Sequence, residues 1–145
     1  MSPLTAARAA IGARFRLHGR AAASGLDCVG LAGLAARAGG ATVEVPSGYG
    51  LRTTDAAAVI ARLDAALPRA APPLPGDLLL FRVGPAQLHL AVLSEGGIIH
   101  ADAHLRRVVE RPGPAPWPLL GAWRLATSCP PSPEIPVRAE RSRGT

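Results

Sequence analysis

The chain has 145 residues, the size of one domain, and sets 16 basic side chains, all of them Arg, against 10 acidic ones for a formal net charge of +6. Hydrophobic residues make up 48% but aromatics only 3%, so the core must be built from Leu, Val, Ile and closely packed Ala. Two cysteines exclude a disulfide scaffold and a four-thiolate zinc site, and no run reaches the roughly 18–20 consecutive apolar residues of a membrane span.

Ser2-Pro3 joins an N-cap residue to a proline at the first helical position and predicts a helix over residues 4–14. Arginines at 8, 14, 16 and 20 interrupt every apolar block. Residues 1–20 therefore do not read as a secretory signal, and synthesis in the cytoplasm without a signal peptide is expected. Residues 18–25 are turn-rich. Asp27 then caps a helix predicted over 28–38, with apolar or small residues at 28, 31, 32, 35 and 36 in one stripe and Gly39-Gly40 as its stop. Residues 41–52 are mixed around a Pro46-Ser47-Gly48 turn. Thr54-Asp55 opens a third helix with apolar residues at 56, 59, 60, 63 and 67, ended by Pro68 and followed by a Pro-rich connector to residue 76.

From Asp77 the period changes. Five short apolar runs, 77–83, 88–93, 98–101, 105–110 and 122–126, are separated by turn signals and predict an antiparallel meander. The expected fold class is α+β, with the helix that begins at Cys28 packed on a sheet of about five strands. Residues 1–126 form the domain. Residues 127–145, rich in Pro, Ser and Arg, read as a tail that is extended or disordered unless a partner orders it.

The N-terminus of a helix exposes N–H groups carrying about half a positive charge. A cysteine placed there has its thiolate favoured, and the same N–H groups can meet an oxyanion on a carbonyl that the sulfur attacks. Cys28 is so placed, although a small apolar core residue would fit there too. The histidines decide between the two. A hairpin of residues 88–94 and 97–102 with Glu95-Gly96 at its turn faces Ser94 with Gly97 and His89 with Asp102. His100 is then one diagonal step from His89, and all three side chains share a face. The expected constellation is a triad of Cys28 as nucleophile, His89 as base and His100 as the residue that orients it. Asp27 is read as a cap, His18 and His104 as solvated loop residues, and Cys129 is given no role. Cys28, His89 and His100 could also be read as zinc ligands, but no C-x-x-C or H-x-x-x-H spacing supports this, and neither metal nor cofactor is expected. Net positive charge raises nucleic acid as a partner. The arginines are dispersed and scarcely interleaved with aromatics, a pattern closer to coding bias than to a nucleic-acid footprint.

With these residues in place the sequence resembles the NlpC-type cell-wall peptidases, small papain-like cysteine enzymes. The resemblance runs through Gly25-Leu26-Asp27-Cys28-Val29-Gly30-Leu31, Pro75-Gly76-Asp77-Leu78-Leu79-Leu80-Phe81, His89-Leu90-Ala91-Val92 and Ile98-Ile99-His100-Ala101. It implies a papain-like NlpC-type fold and hydrolysis of an amide in peptidoglycan stem peptides, typically between D-γ-glutamyl and a diamino acid, through a thioester on Cys28. Phe15-Arg16-Leu17-His18-Gly19 ahead of the nucleophile looks closest to peptidases carried by phage tails and gene transfer agents. That implies tail-hub or baseplate partners and action at the cell wall from a phage-like particle. Two positions depart from the family pattern. Val29 replaces the usual Ser after the nucleophile. Phe15 stands where a Tyr hydroxyl commonly assists the oxyanion, and the single tyrosine, Tyr49, lies beyond the nucleophile helix. Loss of one such donor costs a factor of about 100 or more unless another, such as His18, replaces it. A structural tail subunit with a vestigial thiol site is the alternative, and an acyltransferase would use the same thiol.

Overall fold

The structure, a computed structural model, describes residues 1–41 and 51–126. The expected turn at residues 46–48, Tyr49, and the tail at 127–145 with Cys129 lie outside the described residues.

Three helices form where the caps direct them. Helix α1 (Pro3–Ala9) starts at Ser2, whose hydroxyl accepts the Thr5 N–H at 3.1 Å. It is shorter than the predicted 4–14. At Gly12 the chain turns with φ +93° and runs along the sheet instead, the Gly12 N–H donating to the Val108 carbonyl and the Val108 N–H to that of Ala13. Helix α2 (Cys28–Ala38) is capped by Asp27, and helix α3 (Ala56–Ala66) by Asp55. Two short strands, β1 (Arg20–Ala21) and β2 (Gly25–Leu26), pair with each other in the segment read as turn.

The sheet has five strands: β3 (Leu78–Gly84), β4 (Gln87–Leu93), β5 (Gly97–Asp102), β6 (Arg107–Pro112) and β7 (Leu119–Trp123). Their order is β6-β5-β4-β3-β7, with every neighbouring pair antiparallel. Four strands form the expected meander, and β7 returns to pair with β3. Strand β6 begins at 107 rather than 105 because Asp102 holds the chain in a turn. Its Oδ1 accepts the N–H groups of His104 and Leu105, and Arg106 closes the turn with φ +64°.

Alternation along the strands makes two apolar faces. Leu78, Leu80, Leu90, Val92 and Ile99 point to the helices and bury with Leu26, Leu31, Ala35 and Trp123. Ala32, Ala35 and Ala36 let α2 approach the sheet closely. On the other face Leu79, Phe81, Ala91, Ile98 and Ala122 form a smaller cluster with Ala70 under Trp117. Trp123 is fully buried with its indole N–H given to Asp64 at 2.9 Å. Buried Asp77 pairs with Arg124 and accepts the Leu74 N–H at 2.6 Å, tying the Pro-rich connector to the sheet. No helix among the described residues is long and apolar enough to cross a membrane.

Candidate active site

Cys28 is the first residue of α2, and its position is fixed by the residues on either side. Asp27 is the cap expected of it, and its carboxylate is fully engaged. Oδ1 accepts the Gly30 N–H at 2.9 Å and pairs with Arg20, and Oδ2 accepts the His18 N–H at 2.7 Å. Gly30 permits the helix start to press against the preceding loop. A Cβ there would lie 2.0 Å from the Gly19 carbonyl oxygen. Glycine to alanine inside a helix ordinarily stabilises by roughly 0.5–1 kcal/mol. At Gly30 the sign reverses: Gly30→Ala is expected to cost about 1–3 kcal/mol in chemical denaturation, because backbone must move to admit the methyl group. Unchanged or increased stability would mean the 16–19 loop yields freely.

The sheet opens where Cys28 meets it. Strands β4 and β5 pair at Val92↔Ile99 and Leu93↔Ile98, and the Ser94 N–H bonds Gly97 O, the register expected from the sequence. The pairing stops there, so His89 and Asp102 are not cross-strand partners: the strands have parted before reaching them. Main-chain groups two apart on a strand face the same side. Leu90, like Ser94, therefore directs its N–H toward β5, and with the ladder ended this N–H acts on the Cys28 thiol, favouring its charged form.

The histidines come together as the shared face predicts. His89 Nε2 lies 2.9 Å from His100 Nδ1, with the rings edge to face at 5.1 Å. His100 is only 4% exposed, whereas His89 keeps an edge in the cleft. Beyond His100, Asp102 Oδ2 stands 4.0 Å from Nε2. Cys28, His89 and His100 line one open cleft of about 690 Å3, walled by Phe15, His18 and Trp117 among others. His18, read as a solvated loop residue, is exposed but borders the cleft, with φ +62°. His104 borders it too. Among the described residues, no group of three His, Cys, Asp or Glu is arranged to hold a metal ion.

Trp117 is a site residue that the sequence reading missed. Its ring lies 5.5 Å from His89, 5.8 Å from His100 and 5.6 Å from Phe81, edge to face with each. It closes the pair off from solvent on the side away from the helices. The available signal was an indole set between prolines 116 and 118 apart from any apolar run: Pro114, Pro116 and Pro118 flank it in a chain with two tryptophans.

The electrostatics correct one expectation. The helix start was expected to favour a thiolate. Instead burial pushes the Cys28 thiol up to about 11 and outweighs the N–H groups of Leu90, Cys28 and Val29, which pull the other way, while Asp27 adds to the rise. Burial pushes His89 down to about 4, and His100, which is also lowered, helps it down, against a smaller opposing pull from Asp102. Near neutral pH Cys28 therefore rests as a thiol, and His89 and His100 rest as neutral imidazoles.

Scans against protein-family models and curated proteins returned no match. Solved structures do match. The P60 domain of an antigen from M. avium subspecies paratuberculosis superposes with a TM-score of 0.57 over 87% of this chain and 93% of that one, at 17% identity. The chain has the NLP/P60 fold. A lipoprotein-like NLP/P60 family protein from Staphylococcus aureus matches with a TM-score of 0.50, also at 17% identity, over 87% of this chain and 42% of that one. The NLP/P60 fold agrees with the α+β class and the helix-on-sheet layout expected from the sequence.

Proposed function

We propose that the protein is a cysteine peptidase that hydrolyses an amide in peptidoglycan stem peptides. The observation that carries this reading is that a helix-start cysteine and a hydrogen-bonded histidine pair line one cleft of an NLP/P60 fold. His89 Nε2 is engaged by His100, which leaves Nδ1 as the nitrogen for the thiol proton. As Cys28 Sγ attacks the carbonyl, the S–C bond forms and the proton passes to His89 Nδ1. When the C–N bond breaks, that proton goes to the departing amine, and water then hydrolyses the thioester. Because both groups rest neutral, the proton moves during attack rather than before it. The N–H of Cys28 serves the oxyanion. Cleavage at the D-γ-glutamyl bond and a place in a phage-like tail rest on the sequence resemblance.

A sacculus digest tests the reading. Purified protein incubated with murein should release stem-peptide fragments with a new free amine, identified by mass spectrometry. Intact sacculi from walls of differing cross-link chemistry would overturn it.

Two observations favour a second reading, a structural subunit with a weakened site. Phe15 lines the cleft without a hydroxyl, and the thiol rests protonated. Slow thiol labelling at neutral pH is expected of either protein, so turnover separates them.

A further inference from the structure

The two ring nitrogens of His100 have unequal company. Nδ1 meets His89, while Nε2 is buried with no hydrogen-bond partner, its nearest acid being Asp102 Oδ2 at 4.0 Å. The other oxygen of Asp102 is held at 2.8 and 3.0 Å by the N–H groups of His104 and Leu105. The carboxylate is thus anchored by a turn with one oxygen free, and a shortening of about 1 Å brings it to hydrogen-bond distance of His100.

We propose that Asp102 is a positioning residue, which fixes the proton of His100 on Nε2 and thereby makes His89 a base at Nδ1. The inference rests on the assignment of His89 as the base. Each neutral imidazole carries one N–H. With the His100 proton on Nε2 toward Asp102, its Nδ1 accepts, and His89 must donate from Nε2. The His89 lone pair then falls on Nδ1, ready for the thiol proton. The opposite arrangement, His100 Nδ1–H donating to His89 Nε2, puts the His89 proton on Nδ1 and closes that nitrogen to the thiol. It also turns a buried lone pair toward the carboxylate. Asp102 therefore decides which of two hydrogen-bonded states the pair adopts, acting through His100. Charge acts in the same sense, since Asp102 favours an imidazolium at both histidines. Arg111 of β6 works against it at His100, and His100 opposes the charging of His89. The Trp117 ring beside both adds no charge.

Asp102→Asn tests the proposal. The amide oxygen can still accept the turn N–H groups, so the fold should survive, but an NH2 facing His100 Nε2 favours the wrong tautomer. Nitrogen-15 NMR of the imidazoles, recorded with Cys28→Ala as the parent so that no turnover intervenes, should show Nε2–H at both histidines. Adding Asp102→Asn should shift His100 toward Nδ1–H. In the active protein Asp102→Asn should lower kcat on the order of 10^2–10^4-fold with KM little changed. Nδ1–H at His100 in the parent, or tautomers unmoved by the substitution, would overturn the assignment. The NMR result stands whether or not sacculi are cut, so failure of the peptidase reading and failure of this inference are distinguishable.

Discussion

Cys28→Ala is expected to abolish fragment release from sacculi, a loss of at least about 10^4-fold, while leaving the fold in place. The sulfur is the one atom in the scheme that bonds to the substrate, and neither imidazole can replace it. Cys28 packs at the edge of the core and the substitution removes a single atom, so stability should change by no more than about 1 kcal/mol. Cys28→Ser should be nearly as inactive, because a hydroxyl holds its proton more tightly than a thiol and His89, at about 4, is a weak base at rest. Alkylation adds an independent check. With the thiol at about 11, roughly one molecule in 10^4 is thiolate at pH 7, so the labelling rate should climb with pH to about 11 with no plateau near neutrality. Undiminished release by Cys28→Ala would remove this residue from the mechanism.

The second large effect is on stability in mild acid. His89 sits at about 4 in the folded protein and near 6.5 when unfolded, so the unfolded chain binds the proton first. Stability from the neutral ring is fully present above pH 6.5, falls as the pH drops, and is gone below about 4. The linkage amounts to about 2 kcal/mol by pH 5 and at most about 3 kcal/mol in the limit, since His89 keeps an edge in the cleft. His100, also lowered, acts in the same direction. The lowered carboxylates, Asp102 and Glu110 among them, lose their contribution only at lower pH, as it falls below the ordinary carboxylate range. Denaturation at pH 7.5 and pH 5 should therefore show a loss that His89→Gln removes in large part. An equal loss in that variant would place the acid sensitivity elsewhere.

Much of this architecture could be read from spacing alone. Asp27 and Asp55 act locally, each side chain bonding an N–H three residues on, so the helix starts were legible. The pairing of Val92 with Ile99 follows from a two-residue turn and strand parity, and parity alone put His89 and His100 on one face. What escaped the reading depends on tertiary context. The helix at Pro3–Ala9 stops early because Gly12 finds a partner on β6, about a hundred residues away in sequence. Nothing in the run 119–123 announces that β7 returns to β3. The thiol departs from its expected character because the tertiary burial of Cys28 outweighs the helix-start N–H groups, and spacing carries no measure of that burial. Trp117 reaches the histidines through a loop whose path the prolines around it do not encode.

The two walls of the cleft differ in their capacity to change. On one side the loop ahead of α2 is stitched by Arg16 and Arg14 to Leu26 and pressed through Gly19 against Gly30, so a lengthened or bulkier loop would displace the nucleophile itself. On the other side Ala103 and His104 border the cleft from an exposed turn, anchored through Asp102 and leading directly into β6. A programme of directed evolution for new cleavage preferences should place its diversity at 103–106 and leave 14–30 untouched.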